Sequence, residues 1–259
     1  MRKYLLHVLI ISFVFFLTPT RQAASDWEEE IEACKQAIRI DPFSALANYN
    51  LGNACFSSGM YKEAIKAYKQ AIRISPDYAK AHSNLGAAYD SSGIYKEAIE
   101  ACKQAIRINS DYALAHYNLG NAHFGSGMYK ESIEAYKQAI RITPDYAKAH
   151  FNLGNAYVSS GMYYKEAIES YKQAIRIIPD YALAHYNLGN AYDSSGMYKE
   201  AIESYKQAIR TNPDDADAHY NLGLTYAFLN DRGSALEHCK ILKGLDSERA
   251  NELHNMIYK

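Results

Sequence analysis

Five histidines recur at intervals of 34 or 35 residues, His82, His116, His150, His185 and His219. An imidazole could ligate a metal or move a proton, so these come first. Packed helices lie ~8 to 10 Å apart, whereas two nitrogens bound ~2.0 to 2.1 Å from one zinc must be close neighbours. Equivalent histidines of successive units therefore cannot share an ion, and the pattern predicts packing with a hydrogen bond. The four cysteines also sit in repeated slots. Cys34, Cys102 and Cys239 stand where Tyr68, Tyr136, Tyr171 and Tyr205 stand in other units, and Cys55 stands where Tyr89, Tyr157 and Tyr192 do. Those slots predict buried thiols; Cys34 and Cys55, on consecutive helices, form the one pairing to test for a bond. Ser91 to Gly93 and Ser194 to Gly196 are turn chemistry repeated, and no phosphate loop, dinucleotide fingerprint or HExxH motif is present. No catalytic residue, metal or cofactor is expected, and the chain does not read as an enzyme.

Amides are the remaining chemistry. Asn50, Asn84, Asn118, Asn152, Asn187 and Asn221 fall at one place in six units, and Asn53, Asn121, Asn155 and Asn190 fall three residues later. Each can give and accept hydrogen bonds. A row of them suits an extended peptide backbone, or else bridges neighbouring units.

The elements that carry these rows are read from glycine. Gly52, Gly86, Gly120 and Gly154 are 34 apart, Gly189 follows after 35 and Gly223 after 34; the extra residue falls at Tyr163-Tyr164, in a turn. Full units therefore occupy 45–78, 79–112, 113–146, 147–181 and 182–215, with a degenerate sixth at 216–246. Each opens with a helix of about fourteen residues, closed by Gly59, Gly93, Gly127, Gly161 or Gly196 at a left-handed position. A second helix places Tyr61, Ala64, Ile65, Tyr68, Ala71 and Ile72 on one face and Lys62, Lys66, Lys69 and Arg73 on the other. Pro42, Pro76, Pro144, Pro179 and Pro213 end it. The glycine inside each first helix costs about 1 kcal/mol in propensity. A small residue twelve positions on (Ala64, Ala98, Ser132, Ala167, Ala201 or Ala235) suggests close approach of the two helices as its reason.

Leu188-Gly189, Tyr192, Gly196, Tyr198, Ala201, Tyr205, Ala208 and Pro213, recurring over tandem copies, resemble the tetratricopeptide repeat from about residue 26 to 259. Histidine, or Asn48 in the first unit, replaces that signature's tryptophan. The resemblance implies an all-α right-handed superhelix of paired antiparallel helices that binds protein rather than catalyses. In relatives the second, fifth, ninth and twelfth places of the first helix line a concave groove. Here the fifth holds Tyr49, Tyr117, Phe151, Tyr186 and Tyr220, and the second holds Lys80 and Lys148, beside Leu46, Leu114 and Leu183. Aromatics with scattered amides make a binding surface. The asparagine row is similar to that of the repeat superhelix of the O-linked N-acetylglucosamine transferase. The basic clamp for acidic tails found in some relatives is missing.

Asp26 to Pro42, within a half unit at 26–44, matches only a second helix, and 247–259 reads as a capping helix with Ala250, Leu253 and Ile257 on one stripe. Residues 1–25 differ: a basic start, an apolar run from Leu5 to Leu17, then small polar residues. That is the layout of a secretory signal, with a run short for a membrane span. An exported protein, periplasmic or extracellular, is expected, tethered to the membrane if the leader stays uncleaved. A formal charge of −1 offers nucleic acid no basic footprint. The expected partner is a protein or peptide; the alternative is an assembly module that self-associates or serves an envelope complex.

Overall fold

The structure is a computed structural model that describes residues 21–161 and 163–258, with side chains described from Trp27 onward. Helix α1 (Arg21–Ile40) opens the array. Six antiparallel pairs follow: α2 (Ala45–Ser57) with α3 (Tyr61–Ile74), α4 (Ala79–Ser91) with α5 (Tyr95–Ile108), α6 (Ala113–Gly125) with α7 (Tyr129–Ile142), α8 (Ala147–Ser159) with α9 (Tyr164–Ile177), α10 (Ala182–Ser194) with α11 (Tyr198–Thr211), and α12 (Ala216–Phe228) with α13 (Arg232–Leu245). Helix α14 (Ser247–Ile257) closes it, and the described residues form an all-α solenoid. Of the leader expected at 1–25, only residues 21–25 are described, and their backbone already belongs to α1; the rest of that expectation lies outside the described residues.

Each second helix is amphipathic by sequence and sits accordingly. In α3, Ala64, Ala67, Tyr68 and Ala71 are buried while Lys62, Lys66, Lys69 and Arg73 are exposed. The first helices carry small or apolar residues on most sides, because each is wedged between its own second helix, the preceding one and other first helices. Successive first helices touch one another, whereas successive second helices do not among the described residues. The array therefore curves with the first helices inside.

The turns obey the glycine pattern. Gly59, Gly93, Gly127, Gly161 and Gly196 have φ between 72° and 106°, and Asn230 takes the same left-handed region at φ 60° in the last unit. Around Gly59 the amide of Met60 donates to the Cys55 carbonyl and that of Gly59 to Phe56, which occupies carbonyls a helix end leaves unpaired.

The glycine inside the first helix has a different cause from the one its spacing suggested. A Cβ at Gly52, Gly120, Gly154 or Gly189 would lie 2.4 to 2.5 Å from the ring of Tyr68, Tyr136, Tyr171 or Tyr205. The tyrosine ring, not the facing alanine, occupies the space. In the second unit Cys102 Sγ replaces the ring, and in the last Leu253 of α14 does.

The repeated histidines brace the turns. Nε2 of His82, His116, His150, His185 and His219 lies 2.8 to 2.9 Å from the carbonyl of the residue six positions earlier. A carbonyl only accepts, so Nε2 carries the proton. All four thiols are free; Cys34 is half-buried and the others are buried. Burial raises the Cys55 and Cys102 thiols above their ordinary range, which makes them poor nucleophiles.

Candidate functional site

The inner face is built from the first helices, and its amides form a chain that crosses every internal unit boundary except one. Asn53 Oδ1 accepts from Tyr68 Oη at 2.8 Å and from Asn84 Nδ2 at 2.9 Å; Asn84 Nδ2 also reaches Tyr49 Oη at 3.2 Å. The same pattern joins Asn121 to Tyr136, Asn152 and Tyr117, and Asn190 to Tyr205, Asn221 and Tyr186. Asn155 accepts from Tyr171 and Asn187, and Phe151, having no hydroxyl, leaves Asn187 a single bond. The two rows of asparagine are thus unequal. Sixth-place amides from Asn84 onward are spent as bridges between units. Ninth-place oxygens are fully used; the Nδ2 groups of Asn53 and Asn155 have no protein partner among the described residues and are not sealed from solvent, while those of Asn121 and Asn190 lie beside the Tyr117 and Tyr186 hydroxyls. Asn53 and Asn155 each offer two donors and Asn121 and Asn190 at least one, with orientation fixed by the bonds on the oxygen.

The boundary between α4 and α6 breaks the pattern. Ser83 replaces the fifth-place aromatic and Ala87 the ninth-place asparagine, so Asn118 Nδ2 donates instead to Ser83 O at 3.2 Å and Ser83 Oγ at 3.1 Å. Ser83 is fully buried and Asn118 is 6% exposed. With these small side chains α4 and α6 pack more extensively than any other pair of successive first helices. Asn50, at the open end, is exposed, and Lys80 and Lys148 are exposed on the flank of the stripe. Tyr220 is partly covered by α14: its hydroxyl donates to Glu252 Oε2 at 3.1 Å, and Arg249, paired with Asp217, lies over its ring.

Four more tyrosines belong to this face. Tyr78, Tyr146 and Tyr181, at the ends of their units, pack at a tilt 5.0 Å from Tyr49, Tyr117 and Phe151 of the same unit, and Tyr112 occupies the same place at the end of the second unit. These residues hold the N-cap positions of α4, α8, α10 and α6 without a side-chain cap bond, whereas Ser44 and Asp215 cap the outer units. A good cap is worth about 1 kcal/mol. The inner units forgo it and gain a half-buried aromatic ribbon. Its recurrence every 34 or 35 residues is present in the sequence, but nothing in the spacing shows that the unit-end tyrosines fold back onto the inner face. Indentations of 740 and 500 Å³ lie elsewhere, between successive second helices, and repeat at equivalent places, as curvature with the first helices inside requires.

A tetratricopeptide repeat model matches residues 33–66, and TPR repeat models match 52–93, 91–127, 124–161, 163–196 and 190–229. The chain belongs to the tetratricopeptide repeat family. Among solved structures, MamA is 31% identical over 64% of this chain and 96% of its own, with a TM-score of 0.57. YrrB, described as a TPR protein with an unusual peptide-binding site, is 25% identical over 73% of this chain and 96% of its own, also at 0.57. PilF of Pseudomonas aeruginosa, at 20% identity, covers 82% of this chain and 96% of its own with a TM-score of 0.70, a likeness of fold. No curated protein sequence matches the chain. This TPR protein carries the architecture of a protein-interaction scaffold, and its inner surface combines aromatic rings with oriented amide donors.

Proposed function

We propose that this TPR protein holds an extended polypeptide segment along its concave face, with the ninth-place amides donating to the segment's carbonyls and the tyrosine ribbon packing against its side chains. The observation that carries the reading is the row of pre-oriented NH₂ groups on Asn53, Asn121, Asn155 and Asn190, wholly unspent on Asn53 and Asn155 and with a hydrogen to spare on the other two. Orientation fixed before binding lowers the cost of association. The peptide-binding site of YrrB supports the same ligand class. Alanine at Asn118, Asn152 or Asn187 would confound a binding test, because these side chains hold units together. Asn121→Asp with Asn155→Asp is the sharper change, since carboxylate oxygens still accept from tyrosine and asparagine but donate nothing. Affinity for fluorescein-labelled nonapeptide pools should fall at least about tenfold with helicity intact; unchanged affinity would refute the donor row.

The assembly reading is favoured by a separate observation at the open end, where Ile40, Phe43 and Leu46 are 86%, 82% and 59% exposed. Such a patch suits contact between arrays, and Phe43→Glu would abolish any concentration-dependent mass in light scattering. Export rests on residues 1–25, and fractionation of cells expressing a tagged chain tests it.

A further inference from the structure

Three carboxylates lie on the inner face, and two of them are satisfied. Asp217 pairs with Arg249. Asp193, at the twelfth place of α10, accepts from Thr225 Oγ1 of the next first helix at 3.0 Å. Asp90 holds the twelfth place of α4, and the residue of α6 equivalent to Thr225 is Ala122, a methyl group with nothing to donate. Among the described residues no side chain donates to the Asp90 carboxylate and no cation pairs with it, although it is half-buried.

The surroundings are rearranged to match. In the first and third units a twelfth-place phenylalanine packs at a steep angle on the tyrosine that opens the second helix, Phe56 on Tyr61 and Phe124 on Tyr129, at 5.5 and 5.4 Å. With aspartate at that place, Tyr95 crosses instead to Gly125 of α6, where even an added Cβ would lie 2.4 Å from its ring. Ser83 and Ala87 leave no bulky group beside Asp90 along α4. The notch, where small side chains replace the aromatic and the amide of other units, thus holds an unpaired carboxylate at the boundary where the first helices pack most extensively.

We infer that this notch is the specificity pocket of the groove, taking the cationic side chain, lysine or arginine, of the bound segment on Asp90. The inference rests on the peptide-binding reading above. A half-buried carboxylate left without a donor is under-solvated in the free protein, and an incoming guanidinium or ammonium supplies the missing charge and hydrogen bonds together. Lys80, ten residues earlier on the same helix and so ~15 Å away, sets the opposite charge at the other edge and orients the segment.

The test uses the full chain and amino-terminally fluorescein-labelled nonapeptide pools with one central residue fixed as Arg, Lys, Ala or Glu, read by fluorescence anisotropy. The Arg and Lys pools should bind about tenfold more tightly than the Ala and Glu pools. Asp90→Asn should remove that preference while leaving Ala-pool affinity in place, and Ala122→Thr should do the same by giving the carboxylate an internal donor. Asp111→Asn, in an exposed turn, should keep the preference. A wild-type chain without the preference, or one that keeps it in Asp90→Asn, overturns the assignment of the notch alone. Failure of every pool to bind overturns the peptide-binding reading and this inference with it.

Discussion

Single side chains in this array are best understood by comparison with their counterparts one unit away. His123 stands where Tyr89, Tyr157 and Tyr192 stand, and its Nδ1 is the buried polar atom left without a partner among the described residues. Lys69, Lys137 and Lys172 each lie 5.4 to 5.9 Å over those tyrosine rings, a contact Lys103 can regain if the ring is restored. His123→Tyr should therefore raise stability by about 1 kcal/mol, measured by urea unfolding. Asn152→Ala should lower it by about 1 to 2 kcal/mol by stripping Asn121 and Tyr117 of their bridge. Asp90 gives a pH signature. Burial raises its carboxyl to about 6, above the ~3.9 of an unfolded aspartate. The stability it contributes is present below pH ~4 and lost as pH rises through about 6. Asp90→Asn should thus be more stable than wild type at pH 7, by about 1 kcal/mol after screening, and no different at pH 4. A gain in stability with a loss of peptide preference is the mark of a residue kept for function. The asparagine rows themselves were legible in the sequence. Which row is spent and which is free was not, because that depends on a tyrosine hydroxyl arriving from fifteen or sixteen residues away.

At the level of the helix, periodicity gave the register and misassigned one cause. The glycine of each first helix appears in sequence opposite an alanine twelve residues on, but the tyrosine sixteen or seventeen residues on is long enough to reach back over that alanine and fill the space. Residue spacing fixes which faces meet and says little about how far a large ring extends along them. Three substitutions separate the roles of glycine. Gly154→Ala puts a Cβ 2.5 Å from the Tyr171 ring and should cost about 1 to 3 kcal/mol despite better helix propensity. Gly161→Ala meets no atom within 4 Å but is held at φ 106°, so it should cost about 1 to 2 kcal/mol through backbone strain alone. Gly244→Ala, inside α13 with open space around it, should stabilise by about 0.5 to 1 kcal/mol. Thermal or urea unfolding of the three variants checks the order, and a stabilising Gly154→Ala would contradict the packing described.

As a whole molecule the array follows the physics of a one-dimensional stack, in which each unit is stabilised by its neighbours and the ends are weakest. Helix α14 buries Ala250, Leu253 and Ile257 against the last pair, so its removal should expose Leu222 and Leu242 and speed backbone hydrogen exchange in α12 and α13 before the central units. The same end is acid-sensitive. His238 Nδ1 lies 2.9 Å from His219 Nδ1, beneath the stacked ring of Tyr226 and within reach of the Lys206 charge. Burial, the neighbouring His219 ring and the Lys206 ammonium depress His238 to about 4. Its stabilising contribution is complete above pH ~6.5 and lost as pH falls toward 4, so hydrogen exchange should accelerate in α12 to α14 first over that range, and His238→Gln should remove the effect. The pinch between α4 and α6 was written in the sequence as Ser83, Ala87, Asp90 and Cys102, four departures within one unit. Their joint meaning emerges only when the neighbouring unit is laid against them. The most direct measurement of the binding account is a two-dimensional ¹H–¹⁵N spectrum of the side-chain amides during titration with a bound nonapeptide. The Nδ2 signals of Asn53, Asn121, Asn155 and Asn190 should shift while those of Asn84, Asn152 and Asn221 hold; binding that leaves the first group unmoved would contradict it.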